Sequence, residues 1–289
     1  MYLPDFEYHA PGSVAEACTL LAEFGEKAAV LAGGTDVLHK MKVGKLAPDH
    51  LVSLKHLDEL REIRYETGRG VVIGGLATHG SLYTSALLQE RYLSIPMAAH
   101  TMASNQICNL GTVGGNIVNG VPSADLPPIL IALQATIKLV SASGERSMPL
   151  EEFFCGSAQT VLERGEILTE ITIPDQDTTG STYIKFGLRR SGALAVVGVA
   201  AAVTVENDTL LDARIVLASA APTVMRAREA EDYLRGRKIS DEALAKAGEL
   251  AAAASRPRDS IRGSAEYRRN LVEVLTRRTL RKAVDEGHV

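Results

Sequence analysis

The 289-residue chain contains no tryptophan, and aromatic residues make up only 4% of it. Stacking platforms for single-stranded nucleic acid depend on such rings, so that class of binding has little support. Cysteine is also scarce: Cys18, Cys108 and Cys155 stand alone, with no CxxC spacing. Three scattered thiols exclude a disulfide framework and point to a reducing compartment, with the cytoplasm as the expected location. Excess positive charge is missing as well. With 31 basic against 35 acidic residues the net charge is -4, and a field that would draw in nucleic acid is absent. The longest apolar run, Ala193 to Val205, is interrupted by Gly198 and Thr204. It falls short of the ~20 residues that a spanning helix needs. The opening MYLPDFEYHAP has no basic region followed by an apolar one, which argues against a signal peptide. His9, His39, His50, His56, His79, His100 and His288 show no HxxH-type spacing with carboxylates, so no metal site is expected.

What is present describes a folded, soluble-type chain. Hydrophobic residues reach 46% and charged residues 23%, which excludes wholesale disorder, and the length suits two domains. Ser13-Val14-Ala15-Glu16 reads as a capping box, followed by apolar positions at helical spacing and a stop at Gly25. Short strands are expected at 28–32, 51–54, 63–65, 71–73, 137–140 and 167–173, with helical segments at 81–89 and 95–103. The polar stretch DQDTTGS (175–181) reads as a linker. Beyond it, 182–188, 194–205 and 210–218 resemble a three-stranded meander. Then 225–235, 241–254 and 265–285 are alanine-, glutamate- and arginine-rich helical patterns. An α+β chain split near residue 178 results. Gly-Gly pairs recur at 33–34, 74–75 and 114–115, but the sequences between them differ, so no repeat is assigned.

Two of those pairs sit in segments with chemical potential. Ala32-Gly33-Gly34-Thr35-Asp36 follows a strand, and consecutive glycines leave backbone N–H groups uncovered, as a loop wrapped on a pyrophosphate requires. A lone GGTD is more often a tight surface turn. The second segment, Asn109-Leu110-Gly111-Thr112-Val113-Gly114-Gly115-Asn116, concentrates three glycines, a threonine and two asparagines, and this density suggests close backbone approach to a polyphosphate-sized ligand. Neither matches G-x-x-x-x-G-K-[ST] or a strand-to-helix G-x-G-x-x-G, which disfavours P-loop and Rossmann assignments.

AGGTDVLHKMK together with NQICNLGTVGGNIVNGVPSADLPPILIALQATI resembles the FAD-binding (medium) subunit of the molybdenum hydroxylase, or xanthine dehydrogenase, family, of the carbon monoxide dehydrogenase type. ERGEILTEITIP, TYIKFGLRRSGALAVVGVAAAV and RGSAEYRRNLVEVLTRRTL follow in the family's order, so the resemblance covers nearly the whole chain. It implies a two-subdomain FAD-binding domain of the vanillyl-alcohol-oxidase (PCMH) type over 1–177, with subdomains of about 1–55 and 56–177. A C-terminal domain with a small three-stranded sheet and a helix bundle would occupy 178–289. Carried over by position, Ala32, Gly33, Gly34, Thr35 and Asp36 would cradle one side of the FAD diphosphate, and Thr112, Gly114, Gly115 and Asn116 the other. Asp125 and Leu168 would line the cofactor, and Lys185 would lie near the isoalloxazine. A nearby cation raises a flavin's potential. Without the family, Lys185 is equally a solvated strand lysine beside Arg189 and Arg190.

The resemblance further implies an oxidoreductase subunit with a separate large subunit holding the molybdenum cofactor and a small subunit holding [2Fe-2S] clusters, assembled as a dimer of heterotrimers. Electrons would pass from the clusters to FAD and on to NAD, a quinone or oxygen. No catalytic acid or base is expected in this chain. The alternatives are a stand-alone FAD oxidoreductase of the same superfamily and a flavin-free nucleotide-binding module. Two residues depart from the family: Cys108 stands where arginine is usual, and Ser53 where aspartate is common. With no cysteine between 108 and 155, an inserted iron–sulfur loop is not expected. His79 reads better as a helix cap than as a flavin contact, and Cys108 better as a packed small residue than as a reactive thiol. The arginines from Arg256 to Arg281 interleave with acidic residues, which favours a subunit interface over nucleic acid.

Overall fold

The computed structural model describes residues 3–189 and 191–286, so Arg190 and His288 lie outside the described residues. Three sheets follow one another along the chain. The first contains β1 (Glu7–His9), β2 (Ala28–Leu31) and β3 (His50–Ser53), all parallel in the order β1-β3-β2. Helix α1 (Val14–Phe24) connects β1 to β2, and α2 (Val37–Lys42) leads towards β3. The cap of α1 is the expected one: Ser13 Oγ accepts from the Glu16 amide, and the Gly25 amide donates to the Leu21 carbonyl. Glu16 reaches one residue further back than a strict capping box, accepting from Gly12 N at 2.7 Å. Ala17, Cys18 and Leu21 bury the inner face of α1 against Val52 and Leu54.

The second sheet is antiparallel, in the order β4-β5-β10-β6-β7, from β4 (Ile63–Glu66), β5 (Gly70–Gly74), β6 (Thr136–Ser141), β7 (Gly144–Pro149) and β10 (Ile167–Ile173). A short pair, β8 (Phe154–Gly156) and β9 (Gln159–Thr160), precedes β10. Strand β7 is not visible in the sequence pattern. Its GERSMP forms an outer strand with no fully buried residue, so it leaves no hydrophobic signal. Between β5 and β6 run six short helices: α3 (His79–Thr84), α4 (Ala86–Arg91), α5 (Ser94–His100), α6 (Asn105–Leu110), α7 (Val113–Val118) and α8 (Leu126–Ala132). The single helix expected over 81–89 is split because Ser85 leaves helical geometry, at ψ 113°, and caps α4 by accepting from the Leu88 amide.

The third sheet is the expected meander: β11 (Gly180–Phe186), β12 (Val197–Glu206) and β13 (Thr209–Ala218), extended by two-residue strands β14 (Met225–Arg226) and β15 (Arg237–Lys238). Met225 and Arg226, expected to open a helix, pair with β13 instead, and α9 begins at Arg228 (Arg228–Leu234). Helices α10 (Asp241–Ala254) and α11 (Ala265–Glu286) follow the sequence periodicity closely. Strand β12 is buried on both faces. Val197, Val199, Ala201 and Val203 pack towards α9–α11, whereas Ala200 and Ala202 join the core around α8, all of whose residues are buried. A strand covered on both sides reads as a continuous apolar run, which explains the stretch from Ala193 to Val205. Among the described residues no helix is long and apolar enough to cross a membrane.

Candidate functional site

A cleft of about 660 Å³ opens between the first and second sheets and is also lined by residues 192–194 before β12. That volume lies within the usual range of a small-molecule or cofactor site, roughly 300–1,000 Å³. Ala32, Gly33, Gly34, Thr35 and Asp36 line one wall. Thr112, Gly114, Gly115, Asn116, Asp125 and Leu168 line the rest. Eleven predicted residues that are widely separated in the chain are therefore brought to one surface; the twelfth, Lys185, is not among the lining residues.

The two glycine segments contribute differently. Residues 32–36 form a true turn, and among the described residues nothing accepts from the amides of Gly33, Gly34 and Thr35. The second segment is not an open loop, as expected, but the end of α6, a two-residue link and the start of α7. At the start of α7 the amides are already used: Val113 N donates to the Ala77 carbonyl, Gly114 N to the Gly75 carbonyl, and Gly115 N to Thr112 Oγ1 at 3.1 Å. What it offers the cleft is side-chain chemistry and a floor without Cβ atoms. The amide oxygen of Asn116 is buried, and among the described residues it has no partner. An unsatisfied buried acceptor costs about 1–3 kcal/mol, a cost that a ligand donor would remove.

Within these two segments Gly33 and Gly114 are required by packing against backbone. A Cβ on Gly33 would sit 2.0 Å from the Leu110 carbonyl oxygen, and one on Gly114 would sit 2.6 Å from that of Gly75. The turn at 33 therefore packs against the end of α6, and the start of α7 packs against the turn after β5. Gly75 lines the cleft too, so the third Gly-Gly pair, visible in the sequence but given no role there, belongs to the same site. Across the mouth, Asn119 Nδ2 donates to Asp36 Oδ1 at 3.0 Å and Lys40 Nζ donates to Asn119 Oδ1 at 2.9 Å.

Lys185 is not a solvated strand lysine. Its ammonium donates to Asp125 Oδ2 at 2.7 Å and to the Thr101 carbonyl at 3.1 Å, and only 8% of the side chain is exposed. Tyr183 donates to the other Asp125 oxygen at 2.8 Å. Burial pushes the Asp125 carboxyl up, and Lys185 and Tyr183 pull it back down. Tyr183, enclosed and facing that carboxylate, is held well above its ordinary value. The cleft thus meets a carboxylate whose charge is matched from behind by Lys185.

His79 also lines the cleft and is not a cap: Thr78 Oγ1 caps α3 by accepting from Ser81 N at 3.1 Å. His79 is 3% exposed, and among the described residues its Nδ1 has no partner. Burial lowers its pKa from 6.5 to about 4. The folded value lies below the unfolded one, so on acidification the unfolded chain takes up this proton first. Stability is then lost as pH falls from 6.5 towards 4, by at most about 3 kcal/mol. Replacing His79 with Asn is expected to flatten that part of the stability curve, measurable by urea unfolding at stepped pH. Cys108 behaves as a packed residue: its thiol donates to the Met102 carbonyl at 3.3 Å, and burial raises its pKa. The C-terminal arginines are partly internal. Arg268 donates to the carbonyls of Val196 and Ser219, and Arg262 to that of Ala195.

The family described as "FAD binding domain in molybdopterin dehydrogenase" matches residues 4–176, and "CO dehydrogenase flavoprotein C-terminal domain" matches residues 182–283. The carbon monoxide dehydrogenase medium chain of Hydrogenophaga pseudoflava is 37% identical over 284 residues, covering 98% of both chains. The chain belongs to the FAD-binding medium subunits of the molybdenum hydroxylase family. The glyceraldehyde dehydrogenase medium chain of Sulfolobus acidocaldarius is 32% identical over 98% of this chain and 99% of its own. Carbon monoxide dehydrogenase from Hydrogenophaga pseudoflava, solved in a form lacking the Mo-pyranopterin moiety, superposes with a TM-score of 0.94 at 37% identity and 99% coverage of each chain. The protein is thus an oxidoreductase subunit with an FAD-binding domain. The free turn amides, the Cβ-free floor and the unpartnered Asn116 oxygen fit such a cofactor.

Proposed function

We propose that this chain is the electron-transfer subunit of a three-subunit molybdenum hydroxylase. FAD would lie in the cleft, with its diphosphate on the amides of Gly33, Gly34 and Thr35 and against Ala32, Asp36, Thr112, Gly115 and Asn116. The isoalloxazine would extend towards Leu168 and Asp125. Bound FAD accepts electrons one at a time and releases them as a pair, which couples [2Fe-2S] clusters to NAD, a quinone or oxygen. The chain's own residues bind and orient the ring. Asp125 and Lys185 set the charge beside it, and because Lys185 acts through Asp125 its effect on the flavin is that of a matched pair. The substrate would react at a molybdenum cofactor in a large subunit, with the clusters in a small one, the whole doubling to a dimer of heterotrimers in the cytoplasm. The observation that carries this reading is the cleft that gathers the family's motif positions between two sheets. Residues 1–177 and 178–289 would be the two domains.

The test is the visible spectrum and metal content of the tagged chain purified from its own host. The expected result is one FAD per chain, with iron and molybdenum in the co-purified complex. FAD without either metal would instead favour a stand-alone oxidoreductase. A colourless protein that does not take up added FAD would remove both readings.

A further inference from the structure

The first sheet carries a side-chain cluster that the cleft does not use. Glu7 and His9 are two residues apart on β1 and so share one of its faces. The parallel register sets Glu7 opposite His50 of β3, which brings the three side chains together at one end of the sheet. His9 Nε2 lies 3.1 Å from His50 Nδ1. Glu7 Oε2 lies 3.4 Å from His50 Nδ1 and 3.8 Å from His9 Nε2.

We propose that Glu7, His9 and His50 form a site for a divalent transition-metal ion of the zinc type. A tetrahedral ion with bonds of about 2.0–2.1 Å holds its ligand atoms roughly 3.3–3.4 Å apart. The three separations span that edge, so one ion reaches all three atoms with small side-chain adjustments. Two imidazoles and a carboxylate are a common donor set for zinc, leaving a fourth position for water.

The site is built. Phe24, the last residue of α1, stacks on the His50 ring at 3.7 Å between centroids and 12° between planes, and sits 4.9 Å from the His9 ring. Both rings are therefore held by packing before any ion arrives, which lowers the ordering cost of binding. The imidazoles are mostly covered, with 22% and 17% of their side chains exposed, whereas the Glu7 side chain is 74% exposed. Nitrogen ligands thus form the wall and the carboxylate the mouth. None of the three residues lines the cleft, so the inference does not depend on the flavin. The bound ion ties β1, a three-residue edge strand, to β3 across 41 residues of chain. Its role is structural. Without a metal, the 3.1 Å contact is a hydrogen bond between two imidazoles.

The experiment titrates zinc chloride into chelator-treated, full-length, FAD-loaded protein by calorimetry and follows the melting temperature. The expected result is one zinc per chain and a melting temperature that rises with zinc. Losing a direct ligand should weaken binding at least as much as losing an outer-sphere partner, so His9→Ala and His50→Ala should each cost roughly a hundredfold or more. The FAD content of both variants should be unchanged. Should His50→Ala fail to fold, Glu7→Gln, whose side chain is largely exposed, carries the test with a weaker but measurable loss. No heat of zinc binding, or stoichiometric binding retained in His9→Ala and Glu7→Gln, overturns the proposal. FAD content is read in the same samples, so a failure of the flavin reading is seen separately.

Discussion

Replacing Gly115 with leucine is expected to empty the cleft of FAD. Gly115 is the third residue of α7, and a Cβ built there meets only Thr112 Oγ1, at 2.9 Å. The isobutyl group would therefore project into the cleft that Gly115 lines. The fold should tolerate the change, because leucine has a higher helix propensity than glycine by close to 1 kcal/mol. FAD affinity should fall by more than about a hundredfold, about 2.7 kcal/mol. The measurement is FAD released by acid per mole of chain, with the circular dichroism spectrum as the control for folding. Gly115→Ala provides the graded comparison: its Cβ crowds only the threonine hydroxyl, so it should lose much less. Full flavin occupancy in Gly115→Leu would remove the assignment of this floor to the cofactor.

Asp125→Ala should be the most destabilising single change in the cleft. It leaves the Lys185 ammonium almost fully buried with only the Thr101 carbonyl as acceptor, and it removes the acceptor of Tyr183. Breaking a buried pair from one side costs about 3–5 kcal/mol. Lys185→Met is the complementary variant. There the Asp125 carboxyl keeps only Tyr183, and without the ammonium that now lowers it, its pKa rises further. A folded pKa above the unfolded one contributes stability below the unfolded value and loses it as pH climbs through the folded one. Lys185→Met should therefore recover stability on acidification, and Asp125→Ala should not. The double variant should cost clearly less than the two single changes together, because the two groups contact each other directly. Urea unfolding at two pH values checks all three. Equal, pH-independent effects of the single variants would mean that the pair is not coupled.

Much of the fold is local, and the sequence carries local information well. Ser13 and Gly25 bound α1 because a hydroxyl and a residue tolerant of φ 53° satisfy its end groups whatever lies around it. Helix α10 and the three long strands of the third sheet follow from periodicity and apolar runs, since burial of one stripe or of both strand faces imposes those patterns. The glycine segments at 32–36 and 109–116 were legible as motifs, down to the residues that line the cleft. Their division of labour was not. That the amides of Val113, Gly114 and Gly115 are already taken depends on Ala77, Gly75 and Thr112. Strand β7 carries no periodic signal because none of its residues is fully buried, and the split at Ser85 carries none because a single serine ends one helix and caps the next.

Pairing between distant segments is where sequence reasoning stops. Lys185 looks exposed on its strand until Asp125, sixty residues earlier, is brought to 2.7 Å from it. His79 looks like a cap until Thr78 takes that place and His79 is buried against the cleft. The seven histidines show no ligand spacing, yet a parallel register across β1 and β3 sets His9, His50 and Glu7 within one ion's reach. By itself the sequence determined most of the elements, the family and eleven of the residues that line the cleft, because caps, periodicity and glycine turns act over a few neighbouring residues. Only the tertiary structure decided which charges are matched, which amides remain free and which side chains meet. Those outcomes depend on the order and register in which separate strands pair, and no local pattern encodes that.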